Sequence, residues 1–122
     1  MLMKARDIMQ RTYHNNSGLI GKCLAWLGYA QMKAGLLREA ELSLKQTLRI
    51  YEINESYGKN SVKVGETSFL LSQLNEQKGD ISSAIEFVET AIQCLTATYG
   101  DDHYKTKKML DHYMNVLSKD NK

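Results

Sequence analysis

The chain repeats itself, and the period sets what it can fold into. Gly35 is followed five residues later by Ala40, Gly79 five residues later by Ala84, and the two pairs lie 44 residues apart. The linkers repeat too. Thr12-Tyr13-His14-Asn15-Asn16-Ser17 matches Ser56-Tyr57-Gly58-Lys59-Asn60-Ser61, and each is followed four residues on by a glycine, Gly21 or Gly65. Tyr99-Gly100-Asp101-Asp102-His103 is a third, weaker copy. A period of this size marks a helical solenoid, in which each unit buries its apolar face only against its neighbours. Such a shape points to binding rather than chemistry.

The apolar spacing is helical throughout, with i, i+3, i+4 and i+7 recurrences. A first helix spans about residues 1–14 through Leu2, Ala5, Ile8 and Met9 and aligns with the second helix of a preceding unit. Leu24, Leu27, Ala30, Gln31 and Ala34 define the face of a helix over about 19–34, which Gly35 stops in a left-handed cap. Ala40, Leu44, Thr47, Leu48 and Tyr51 face inward on a helix over about 37–55, ended by Tyr57-Gly58. Asn60 or Ser61 caps the next, over about 61–78, with Val64, Thr67, Leu71 and Leu74 as its stripe. Gly79 stops it and Asp80 caps a helix over about 81–97 carrying Ile81, Ala84, Ile85, Val88, Ala91, Ile92 and Leu95. Gly100 breaks the chain again. Asp101 or Asp102 caps a last helix to about 118, with Met109, Tyr113, Val116 and Leu117 inward. The expectation is an all-α fold of about six antiparallel helices in one domain, residues 1–122. Within it, 1–18 ends a preceding unit, 19–58 and 61–100 are repeats, and 102–118 is a terminal or capping helix.

Bulk properties exclude several classes. Hydrophobic residues make up 43% and charged residues 25%, as in ordinary globular domains, and there is no proline. Sixteen basic residues against fourteen acidic argue against a dedicated nucleic-acid binder. Lys105-Thr106-Lys107-Lys108 reads as the solvated start of a helix. No stretch reaches the roughly 18 apolar residues of a membrane span. Cys23 and Cys94 are far apart inside apolar helical patterns and read as small core residues in a reducing compartment, the cytoplasm or nucleus. Residues 1–14 have the basic composition of a mitochondrial transit helix; the repeat gives the same segment a structural role.

The repeat details resemble the tetratricopeptide family. Its helix pairs carry a Leu-Gly, a turn glycine and two alanines on the second helix. Leu27-Gly28, Gly35 and Ala40 fall at matching spacings, with Thr47 at the second alanine. In the next copy Leu71, Gly79, Ala84 and Ala91 match, and Ser72 replaces the Leu-Gly glycine. Small residues at these places let helices approach closely. Gln31 and Asn75 stand where the family has an aromatic, and its proline is absent. The long unit is similar to the repeats of kinesin light chains. Residues 12–118, above all Tyr57-Gly58-Lys59-Asn60-Ser61-Val62-Lys63-Val64-Gly65-Glu66-Thr67-Ser68-Phe69-Leu70-Leu71-Ser72-Gln73, also resemble the tetratricopeptide C-terminal region of SET/MYND-type lysine methyltransferases. Neither a methyl-donor motif nor a zinc-binding cysteine cluster accompanies it. By this resemblance the chain is either a fragment of a longer protein or a short array whose flanking helices cap it.

No sequence signature of catalysis emerges. His14, His103 and His112 are isolated, with His14 and His103 in linkers, where a solvated or capping role is usual. Glu39, Glu41 and Glu52 read as surface charges. There is no phosphate loop, Ser-His-Asp set or HExxH. No cofactor and no enzymatic activity are expected.

In the family the chain resembles, the first helix of each pair lines a concave groove. The positions there that packing does not need are Lys22, Ala25, Tyr29 and Lys33, then Glu66, Phe69, Gln73 and Gln77, then Lys108, Asp111 and Asn115. Tyr29 and Phe69 on successive first helices give aromatic centres with a polar rim, the make-up of a peptide site. The Lys/Asn set by which chaperone-binding members hold a C-terminal carboxylate is missing apart from Asn115. The expected function is a protein-interaction scaffold holding a partner segment in the groove. The rival is the C-terminal region of a SET/MYND-like methyltransferase, walling a substrate cleft. Self-association through an uncovered array end is a third reading.

Overall fold

The computed structural model describes residues 17–53 and 61–120. Among them are five α-helices and no strand: α1 Ser17–Lys33, α2 Leu37–Ile53, α3 Val62–Lys78, α4 Ile81–Tyr99 and α5 Tyr104–Asp120. The helix expected over 1–14 and the stop at Tyr57-Gly58 lie outside the described residues.

The 44-residue period reappears as hydrogen bonds. At the end of α1, Gly35 N–H donates to Met32 O at 3.1 Å and Leu36 N–H to Gln31 O at 2.8 Å. At the end of α3, Gly79 N–H donates to Glu76 O at 3.1 Å and Asp80 N–H to Asn75 O at 2.9 Å. Both are the paired closure of a Schellman turn, which needs a left-handed residue; Gly35 has φ 84° and Gly79 φ 88°. Ser61 caps α3, its hydroxyl accepting from Val64 N–H at 3.2 Å. Asp80 caps α4 through Ser83 N–H at 3.2 Å and Ser83 Oγ at 2.9 Å, bonds that hold its carboxyl below the usual carboxylate range. At α5 the expectation fails. Neither Asp101 nor Asp102 caps it: His103 Nδ1 accepts from Lys105 N–H at 3.2 Å. Its ring is stacked between Tyr99, 4.2 Å away, and Tyr104, 4.7 Å away, which fixes it beside the helix start.

Helices α1 and α2 form one antiparallel hairpin, α3 and α4 a second. The crossings are tight because small residues sit in them. A Cβ on Gly28 would come within 2.7 Å of Leu44 Cγ, and one on Gly21 within 2.8 Å of the Tyr51 ring. Gly65 has the same relation to Cys94 across α3 and α4. Ser72, the counterpart of Gly28, bridges the hairpin with its hydroxyl, donating to Ala84 O at 2.7 Å. Gln31, at the expected aromatic position, is buried because Ser43 Oγ donates to its Oε1 at 2.7 Å. Ala40 and Ala84 are fully buried.

The hairpins share one core. Met32, Ala40 and Leu44 pack with Leu71 and Leu74; Tyr51 packs with Val64 and Cys94; Ala91 and Leu95 pack with Met109 of α5. Burial pushes the Cys94 thiol up, with Glu52 adding to the shift. The expected stripes of α2 and α3 are inward. On α1, Leu24 and Gln31 are buried but Ala30 and Ala34 are exposed, and Ile20 and Met32 do the packing instead.

Thr106 is fully buried on α5, and its hydroxyl has no hydrogen-bond partner among the described residues. An unsatisfied buried hydroxyl costs stability that an isosteric methyl does not. Thr106→Val is expected to stabilise the fold by about 1 kcal/mol, read as a raised urea midpoint at constant slope.

Candidate binding groove

Antiparallel hairpins set the odd helices side by side in one direction. Tyr51 touches Gly21 of α1 and packs with Val64 of α3, while Leu44 touches Gly28 and packs with Leu71. Hence α1 and α3 run parallel, with Gly21 level with Val64. His112 and Lys119 of α5 meet Ser72 and Glu76 of α3, so α5 runs the same way.

Between these helices lies an open groove of about 780 Å³. All four positions expected on α1 line it: Lys22, Ala25, Tyr29 and Lys33. On α3, Glu66, Phe69 and Gln73 line it, while Gln77 is exposed beyond its end. On α5, Lys108 lines it, whereas Asp111 and Asn115 are exposed elsewhere. Ala25, expected to be open, is half-buried in the wall.

Further residues belong to the groove that the spacing did not single out. Trp26 and Leu70 lie beside Ala25 and Phe69, and Lys63, Tyr104, Lys105 and Met109 complete one end. Tyr51 and Leu95 back the floor from α2 and α4, where both are buried. The walls are two residues wide per turn, not the single strip of the periodic reading. Trp26, the only tryptophan, is 66% exposed, an arrangement folding alone does not reward.

Neighbours hold the aromatic rings in place. Trp26 meets Tyr29 edge-on at 6.5 Å, and the Lys33 ammonium lies 5.3 Å from the Tyr29 ring centre. Phe69 both lines the groove and packs edge-on against His112 at 5.1 Å. The Ser72 hydroxyl spends its one proton on Ala84 O, so its 3.1 Å contact with His112 Nε2 requires the imidazole to donate. Burial lowers the His112 pKa, with Glu76 acting against the shift and Lys119 with it. A neutral ring protonated on Nε2 satisfies both observations and ties α5, α3 and α4 together behind Phe69.

The charge of the lining is one-sided. Among the described residues that line the groove, Lys22, Lys33, Lys63, Lys105 and Lys108 face a single carboxylate, Glu66. The chain's net charge of +2 conceals this, because acidic residues gather elsewhere. Helix α4 carries Glu86 and Glu89 and no lysine or arginine, while α1 carries two lysines and no acid.

Among the described residues no cluster of three or more His, Cys, Asp and Glu side chains could hold a metal ion, and no helix is long and apolar enough to cross a membrane. Compared with known proteins, the chain matches no family model and no curated protein.

Proposed function

We propose that this chain is a non-enzymatic protein-interaction module, a tetratricopeptide-like solenoid that holds a partner segment along the groove of α1, α3 and α5. The observation that carries the reading is the groove itself: exposed or half-exposed aromatic rings beside aliphatic lining, rimmed by lysines and the Gln73 amide. Surface rings seated this way supply binding energy, whereas a fold gains nothing from leaving Trp26 in water. The repeated Schellman turns and glycine crossings support the solenoid, since they make one hairpin a copy of the other. The module belongs in the cytoplasm or nucleus, where thiols such as Cys23 and Cys94 stay reduced.

The test is the double substitution Tyr29→Ala with Phe69→Ala. An apolar anchor in such a centre typically carries about 2 kcal/mol or more, so binding of a captured partner should weaken by well over tenfold in calorimetric titration. Far-ultraviolet circular dichroism should be unchanged. A partner that binds the double variant as tightly as the wild type puts the site on another face.

A further inference from the structure

The geometry points to a partner segment with carboxylates gathered on one side of an apolar anchor. This rests on the groove reading above and adds which chemistry fills it and in which direction. The register derived from Gly21, Gly28, Val64 and Leu71 sets Lys22 of α1 level with the first turn of α3, where Lys63 lies. The contacts of His112 and Lys119 set Lys105 and Lys108, in the first two turns of α5, at that same level. Four lysines therefore gather at one end of the groove, with Glu66 the one carboxylate among the described lining residues. One to two turns further along come Trp26, Tyr29, Phe69 and Leu70, the apolar stretch. Lys33 closes the far end over Tyr29.

The size fits a short stretch of chain. Lys22 and Lys33 are eleven residues apart on one helix, roughly 16 Å along its axis, which about five extended residues span. A segment with two or three acidic residues, then an apolar one, would meet lysines first and the aliphatic floor next. Like charges crowded at one end are costly to hold without a counter-charge, and a partner's carboxylates supply it.

Single-stranded nucleic acid is the other polyanion such a surface invites. It needs ring faces on which bases stack. Here Lys33 covers one face of Tyr29, His103 covers one face of Tyr104, and Phe69 is packed against His112. That leaves the exposed Trp26 on α1 and the outer face of Tyr104 on α5, on opposite sides of α3, rather than a row of successive ring faces. The accessible aliphatic lining, chiefly the half-buried Leu70, suits an apolar side chain better than a base.

The experiment is a selection of random dodecapeptides on the purified chain. The enriched peptides and a single-stranded oligouridylate of similar length are then titrated by fluorescence anisotropy. Three proteins are compared: wild type, Lys22→Glu/Lys63→Glu/Lys105→Glu/Lys108→Glu, and Tyr29→Ala/Phe69→Ala. The lysines lie on the surface or half-exposed, so the variants are expected to keep their helix content, which circular dichroism checks. The expected result is enrichment of peptides with acids on one side of an apolar residue. Their affinity should fall by more than about a hundredfold in the lysine variant, by more than about tenfold in the aromatic variant, and should exceed that of oligouridylate. Peptides that need Tyr29 and Phe69 but have no excess of acids and ignore the lysine reversal overturn the inference and leave the groove reading standing. Peptides indifferent to both variants overturn both. No enrichment, or tighter lysine-dependent binding of oligouridylate, overturns the inference as well.

Discussion

Leu71→Ala is expected to be the most damaging single truncation in the chain, at about 2–5 kcal/mol. Leu71 is fully buried on α3 and packs in one cluster with Met32 of α1, Ala40 and Leu44 of α2, and Leu74. That cluster is where the first hairpin meets the second. Cutting the side chain leaves a cavity that α3 cannot collapse into easily, because Gly65 and Ser72 already hold it close to α4 on the opposite side. A single domain has about 5–15 kcal/mol in total, so the loss approaches half of it. Urea unfolding followed by circular dichroism reads the effect. Leu42→Ala on α2, where Leu42 is 60% exposed, should stay within about 0.5 kcal/mol and serves as the control. A Leu71 effect no larger than the control would mean that the two hairpins do not share this core.

The contrast between Leu71 and Leu42 shows what the sequence makes legible. On α2 and α3 every position of the expected stripes is buried or half-buried, so the helical spacing finds the inward face, although Leu42 and Ile53 lie exposed outside it. Gly35 and Gly79 are legible for a different reason: only a residue tolerant of positive φ closes a helix this way. On α1 the method misplaces Ala30 and Ala34. Alanine favours a helix wherever it sits and costs little in water, so an alanine is a weak marker of burial unless the repeat places it, as it does Ala40 and Ala84. The actual inward face follows Gly21 and Gly28; counting apolar positions passes over both, and it is the family resemblance that marks Gly28 as a close approach to α2. The cap of α5 was misread for a related reason. Asp101 and Asp102 are good capping residues by type, but the stack of Tyr99, His103 and Tyr104 starts the helix after them. In the groove, one residue per turn was legible on α1 and α3. The second was not, because the arc between two parallel helices is set by their separation, which no single helix encodes. Hence Trp26, Lys63 and Lys105 appear only in three dimensions, and with them the one-sided charge.

Gly65 tests whether the blanks matter. A Cβ placed there would lie 2.9 Å from Cys94 Cβ, 3.4 Å from Ala91 O and 3.6 Å from Leu95 Cδ2. Both Cβ atoms are fixed to their backbones, so no side-chain rotation relieves the contact, and α3 and α4 must move apart. On an open helix a glycine-to-alanine change stabilises by about 1 kcal/mol. At this crossing, overpacking of about 1–3 kcal/mol works against that gain. Gly65→Val forfeits most of the gain, because valine is a poorer helix former, and adds two methyls to the clash. Its net cost is expected at about 1–3 kcal/mol in urea unfolding. The cause is separable from any general intolerance of the position. Cys94→Gly removes the opposing Cβ, so in that background Gly65→Val should cost at least about 1 kcal/mol less, a coupling above the scatter of independent sites. Gly79 supplies the counter-case. No atom lies within 4 Å of a Cβ built there, and only its φ of 88° resists a side chain. Gly79→Ala should therefore cost about 1–2 kcal/mol whether or not Cys94 is replaced. Equal costs of Gly65→Val in the two backgrounds would mean that the hairpin is not held together by close approach at Gly65.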